Sequence, residues 1–182
     1  LRVPGAHNAA NAIAALEACR LAGADESRAV AALAGFEGAG RRFERLGETS
    51  DGALVVDDYA HHPTEVAATI AAARTLGRER LVAVFQPHLF SRTAELHAEF
   101  ARALSAADAA VVLDVYPARE RAADFPGVTG RLIADAAGAF FAEDFGAAQR
   151  HLAGELRAGD LVLVMGAGDV DALAQALVAR PA

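Results

Sequence analysis

Ala53-Leu54-Val55-Val56-Asp57-Asp58-Tyr59-Ala60-His61-His62-Pro63-Thr64-Glu65 is the stretch that decides how this chain is read. Its first four residues are apolar and β-branched, which predicts a short buried strand. Beyond it, Val66, Ile70 and Ala73 recur as one face of a helix that stops near Gly77. Pro63 fits the first helical position, where a missing N–H costs nothing. Two carboxylates, a phenol and two imidazoles therefore fall in a strand-to-helix turn. In open α/β sheets ligands bind at the carboxyl ends of strands, and a helix N-terminus there favours anions. Capping such a turn takes one polar side chain, so five titratable groups point to a site.

Working outward, residues 41–182 alternate strand and helix. A hairpin is predicted over Glu44–Thr49, turning at Ser50-Asp51-Gly52 and returning through Ala53–Asp57. Helices are predicted over 63–76, 93–104, 129–137, 147–156 and 170–179. Strands are predicted over Leu81–Phe85, Ala110–Val115, Phe140-Phe141 and Leu161–Met165. Runs such as Leu161-Val162-Leu163-Val164 are continuously apolar, as in a parallel sheet covered on both faces. The fold class is α/β: a Rossmann-like, mostly parallel sheet with helices on both faces and an antiparallel edge strand. A short helix pair precedes it. Pro4-Gly5 opens the first helix, which ends near Gly23. Asp25 caps the second, which carries Val30, Leu33 and Ala34 and ends near Gly35. The glycine-rich Gly35–Gly40 reads as a linker. The pair is too small to hold a core, so residues 1–40 are assigned to a preceding domain.

The totals narrow the function. A net charge of −7 and a pI of about 5.3 argue against nucleic acid. No apolar run approaches the roughly 18 residues of a membrane span, and no secretory signal is present. The lone Cys19 suits a reducing cytoplasm. All 17 basic residues are arginine, and the one methionine is Met165. Leu1 is therefore not expected to be a natural start, and the chain reads as a piece of a longer one.

Three further strand ends carry polar groups: Gln86-Pro87-His88-Leu89-Phe90-Ser91-Arg92-Thr93, Tyr116-Pro117-Ala118-Arg119-Glu120 and Gly166-Ala167-Gly168-Asp169. In a parallel sheet all of them share one rim with the Asp57–His62 turn. Arg92, at a helix start, suits a carboxylate or phosphate. In the first helix His7, Asn8 and Asn11 lie near one face, and an Asn amide matches the donor–acceptor edge of adenine. The bland alternative makes Asn8 a cap and leaves Asn11 solvated. Gly166-Ala167-Gly168 lacks the third glycine of a dinucleotide fingerprint, so Asp169 is expected to cap the last helix. No metal-ligand spacing and no Gly-x-Ser-x-Gly elbow is present.

Gly5-Ala6-His7-Asn8-Ala9-Ala10-Asn11, Arg41-Arg42-Phe43-Glu44, the Asp57–Glu65 turn, Phe85-Gln86-Pro87-His88 with Ser91-Arg92-Thr93, Asp114–Glu120 and Met165–Asp169 occur in this order. Together they resemble the Mur ligase family over essentially the whole chain. The resemblance implies the last helices of the central ATPase domain (1–40) followed by the complete C-terminal domain (41–182). It implies an ATP- and Mg²⁺-dependent ligation of L-alanine to the lactyl carboxylate of UDP-N-acetylmuramate, by way of an acyl phosphate. By family position, His7, Asn8, Asn11, Arg42 and Asp58 face ATP. Tyr59, His61, His88 and Arg92 face the amino acid and the acyl intermediate. Partners would be these substrates and the upstream domains of the same chain.

Two departures stand out. Some relatives carry Arg where this chain has Leu89. The phosphate loop Gly-x-x-x-x-Gly-Lys-[Ser/Thr] needs a lysine, and there is none here. Residues 1–182 alone are therefore expected to lack ligase activity, with the Mg²⁺ ligands mainly outside them. Two alternatives remain. One is a sister ligase attaching a recycled peptide to the same nucleotide, against which Tyr59 and Pro63-Thr64-Glu65 weigh. The other is a non-catalytic Rossmann-like binding module.

Overall fold

The computed structural model describes residues 1–178. A helix pair, α1 (Ala6–Leu21) and α2 (Glu26–Ala34), leads into a six-stranded sheet. The strands are β1 (Glu44–Glu48), β2 (Leu54–Asp58), β3 (Arg80–Phe85), β4 (Ala109–Leu113), β5 (Phe140–Ala142) and β6 (Asp160–Met165). Their order across the sheet is β1-β2-β6-β3-β4-β5. Only the β1–β2 pair is antiparallel. The Rossmann-like reading of the sequence is thus the observed fold.

The hairpin turns where its Gly and Asp require. Thr49 N–H donates to the Ala53 carbonyl, and Gly52 N–H to that of Thr49. β1 carries a bulge between Arg45 and Gly47, which the alternation in the sequence did not reveal.

Each apolar strand feeds two cores, because successive side chains point to opposite faces. Val56, Leu81, Ala83, Phe85, Leu161 and Leu163 pack against α3 (Pro63–Arg74), α4 (Phe90–Leu104) and α5 (Arg131–Ala137). Val55, Val82, Val84, Val162 and Val164 pack against α6 (Phe145–Glu155) and α7 (Asp171–Leu177). The crossover helices therefore change face between α5 and α6. Crevices open at the carboxyl rim where neighbouring strands send their chains to opposite sides.

Several boundaries shift. α4 starts at Phe90 rather than Thr93, because Leu89 adopts φ +73 and turns the chain straight into the helix. β4 stops at Leu113 instead of Val115, since the Asp114 carboxylate takes the N–H groups of Val115 and Gly130. The predicted end of the last helix at 179 lies outside the described residues.

Neither α1 nor α2 contains a buried residue. Ile13 is 64% and Leu21 80% exposed, so the pair has no core of its own. Asp25 caps α2 as expected, accepting from Arg28 N–H. No described helix is long and apolar enough to cross a membrane.

Phe100 is fully buried and packs 4.9 Å from the Phe85 ring. Phe100→Ala should cost about 3–5 kcal/mol, read from denaturant unfolding. A loss under about 1 kcal/mol would mean that this face of the core collapses to fill the hole.

Candidate functional site

β2 ends on two adjacent carboxylates that face opposite sides of the sheet. Asp58, 7% exposed, turns toward α3. Its Oδ1 accepts from Ala60 N–H at 2.8 Å and from the Thr69 hydroxyl at 3.3 Å. Its Oδ2 accepts from Phe43 N–H at 2.8 Å. Asp57, 2% exposed, accepts from Arg41 Nε at 3.1 Å through Oδ2. Its buried Oδ1 has no partner among the described residues. Burial raises both carboxyl pKa values. The Arg41 charge opposes the rise at Asp57, and the bonds from Ala60, Phe43 and Thr69 oppose it at Asp58.

The turn then enters α3 with Pro63 at its first position and His62 as N-cap. Thr64 N–H donates to His62 Nδ1 at 3.4 Å. Glu65 reaches back to accept from the N–H groups of His61 (3.0 Å) and His62 (3.1 Å). These bonds lower the Glu65 pKa against the opposing effect of its burial. His62 thus serves the helix start.

A cavity of about 750 Å³ lies between the helix pair and the β2 rim. Its wall includes His7, Asn8 and Asn11 from α1, and Arg42, Asp58, Thr64 and Thr69 from the sheet domain. All five nucleotide-side residues picked from the sequence line this one cavity. The cap of α1 is Gly5, not Asn8, whose Nδ2 instead donates to the Pro4 carbonyl at 2.7 Å. The Arg42 guanidinium lies 5.4 Å over the Tyr59 ring and makes no side-chain hydrogen bond among the described residues.

The second group is a contiguous cluster on the same rim. The Tyr59 and His61 rings are 5.3 Å apart, and those of His61 and His88 are 6.1 Å apart. Arg92 Nη1 donates to the His61 carbonyl at 3.2 Å. Among the described residues Arg92 has no carboxylate partner, so its charge is available. Burial, followed by the charges of Arg92, His61 and Arg119, lowers the His88 pKa. This favours the uncharged imidazole, whose buried Nδ1 has no partner among the described residues.

Sequence reasoning gave no role to Tyr116 or Arg41. Tyr116 stacks on His88 at 5.7 Å and exchanges backbone bonds with Pro87 and Leu89. Arg41 sits under the rim and bonds to Asp57, Gly166 and Gly168. Both lie inside the quoted motifs, but nothing in their spacing separates an inward side chain from an outward one. The expected capping by Asp169 is corrected: α7 begins two residues later, without a side-chain cap. Asp169 Oδ1 instead accepts from Gln86 Nε2 at 2.8 Å.

Among the described residues no three or more His, Cys, Asp or Glu side chains group to hold a metal ion. The Mg²⁺ ligands implied by the resemblance are expected mainly outside residues 1–182, and Mg²⁺ is held by one or two carboxylates and substrate phosphates rather than by an all-protein cage.

A family profile described as "Mur ligase, glutamate ligase domain" matches residues 41–168. A UDP-N-acetylmuramate–L-alanine ligase of Mycolicibacterium smegmatis is 53% identical over 178 residues, 95% of this chain and 36% of that protein. Its namesake in Chlorobaculum tepidum is 50% identical over 181 residues, 96% of this chain and 38% of that protein. The chain therefore spans under two fifths of the length of these curated relatives. Among solved structures, the UDP-N-acetylmuramate-alanine ligase of Thermotoga maritima superposes with a TM-score of 0.79 at 30% identity, covering 97% of this chain and 38% of that one. A murein peptide ligase of Psychrobacter arcticus gives 0.68 at 27% identity, covering 95% of this chain and 36% of that one.

The raised Asp58 pKa fixes the sign of a pH effect. Its folded value lies above the unfolded one, so its contribution is fully present below the unfolded pKa and is lost as pH rises through the folded one. Asp58→Asn removes this titration. The stability of the variant relative to wild type should therefore improve as pH rises above about 4, on top of a constant loss for mismatched donors. Denaturant unfolding across that range checks it; a flat difference would place the folded pKa at its ordinary value.

Proposed function

Because this chain belongs to the Mur ligase family, we propose that it forms the adenine-side and amino-acid-side part of an ATP-dependent ligase that joins L-alanine to the lactyl carboxylate of UDP-N-acetylmuramate. The observation that carries the reading is the single rim. It gathers the cavity of about 750 Å³ lined by His7, Asn8, Asn11, Arg42 and Asp58 beside the Tyr59–His61–His88–Arg92 cluster. Relatives at about half identity that carry this enzyme's name support the choice of L-alanine. On this reading residues 1–40 end the central ATPase domain, and 41–182 form the C-terminal domain. The protein works in the cytoplasm on peptidoglycan precursors.

The chemistry follows from the groups available. The Asn11 amide presents one donor and one acceptor to the adenine edge. Asp58 keeps lone-pair capacity on Oδ2 for a ribose hydroxyl, and Arg42 meets phosphate oxygens. The γ-phosphoryl group passes to the lactyl carboxylate, forming an acyl phosphate and ADP. The alanine amine attacks the acyl carbon, and the tetrahedral intermediate expels phosphate as the amide forms. Arg92 pairs with the alanine carboxylate or with the charge developing on the acyl phosphate. The His88 imidazole accepts the proton that the alanine ammonium sheds before the free amine attacks. Arg92 and His88 stand about the same centre, which suits an anion arriving next to an amine.

Two variants of the full-length protein test these roles. Asn11→Ala should raise the KM for ATP and leave that for alanine unchanged in a phosphate-release assay; an unchanged ATP KM removes Asn11 from the adenine site. Arg92→Ala should lower kcat/KM for alanine by the equivalent of about 2–4 kcal/mol. Wild-type kinetics there would reduce Arg92 to a surface group.

A further inference from the structure

Arg41 and Arg42 are neighbours with opposite fates. Arg42 lines the cavity. Arg41 does not, and its guanidinium is spent on the protein. Nε donates to Asp57 Oδ2 at 3.1 Å, Nη1 to the Gly168 carbonyl at 3.0 Å and Nη2 to the Gly166 carbonyl at 2.7 Å. Its peptide is tied as well. The N–H donates to Glu44 Oε2 at 2.7 Å, and the carbonyl accepts from Tyr59 N–H at 2.8 Å. One residue thus joins the entry to β1, the end of β2 and the end of β6.

The backbone shows what these bonds oppose. Arg41 and Phe43 have φ of +55 and +52, left-handed values that strain a residue with a Cβ. Such strain persists only where the surroundings over-determine it. Asp57 fixes the Arg41 side chain, and Asp58 fixes the Phe43 N–H. The double reversal aims the intervening Arg42 into the cavity. Both guanidiniums lie over the Tyr59 ring, at 5.2 and 5.4 Å from its centre.

We propose that Arg41 is a positioning residue that sets Arg42 for the nucleotide and Tyr59 for the amino acid, coupling the two halves of the site while touching neither ligand. The proposal rests on the ligase reading above. Lysine cannot replace it, because one ammonium on a flexible stem does not reproduce the planar fork that spans a carboxylate and two carbonyls.

The test uses the full-length protein, with ATP and L-alanine varied separately, on Arg41→Lys and Asp57→Asn, and with Arg42→Ala for comparison. Arg41→Lys should raise both KM values about tenfold with a smaller change in kcat, as expected of a displacement remote from the reacting atoms. Asp57→Asn, which weakens the anchor and leaves Arg41 in place, should give the same paired rise at smaller size. Arg42→Ala should raise the KM for ATP alone. Hydrogen exchange at the Tyr59 amide, bonded to the Arg41 carbonyl, gives a ligand-free reading and should quicken in Arg41→Lys beyond any global loss of stability. Unchanged KM values, with or without a lowered melting temperature, would overturn the proposal. So would a rise confined to ATP, which would make Arg41 a direct nucleotide ligand, or unchanged exchange at Tyr59. If wild type releases no phosphate in response to alanine, the ligase reading fails instead, and the exchange data still decide whether Arg41 braces the rim.

Discussion

The rim depends on one constraint: two adjacent carboxylates buried at the end of a central strand, each required to find a partner. A buried carboxylate without hydrogen bonds costs several kcal/mol, so Asp57 and Asp58 dictate what lies beside them. The alternation of β2 sends one to each face. Asp57 draws in the Arg41 guanidinium, and Asp58 draws in the Phe43 amide. The 41–43 segment is thereby pulled onto the sheet edge in a conformation it would not adopt alone. The strain at Arg41 and Phe43 is offset by carboxylate bonds, which are stronger than neutral ones.

Around that clasp the sheet supplies geometry. Strands β2, β6, β3, β4 and β5 run parallel, so each delivers its loop to the same end. Four stretches far apart in sequence meet within one or two ring diameters: the Tyr59–His62 turn, His88 with Arg92, Tyr116, and Gly166–Gly168. The cavity needs a second wall that the sheet cannot provide, and α1 supplies it with His7, Asn8 and Asn11. That helix buries nothing of its own, so its place in the molecule is explained by the wall it makes.

Much of this was legible in the residues. The continuously apolar strands fixed a covered parallel sheet, and Pro63 marked the start of α3 to the residue. The convergence of Tyr59, His61, His88 and Arg92 followed from parallel topology alone. What escaped was set by side-chain direction and tertiary reach. Arg41 and Arg42 are identical in sequence terms, yet one is a strut and the other faces the cavity. Asp169 looked like a cap because it precedes a helix, but Gln86, 83 residues earlier, claims it. The early start of α4 rests on a left-handed Leu89, a conformation that no propensity assigns to leucine.

The position of β6 has a consequence for how the molecule comes into being. It lies between β2 and β3, yet it emerges from the ribosome about a hundred residues after β2. Until then the middle of the sheet is vacant, and β2 and β3 have no native neighbour on that side. Arg41, made early, waits for the carbonyls of Gly166 and Gly168. Assembly of the rim is therefore postponed to the close of domain synthesis, and such long-range pairing slows folding. During that wait two apolar strand edges stand open, the kind of exposure that favours edge-to-edge aggregation of a nascent chain.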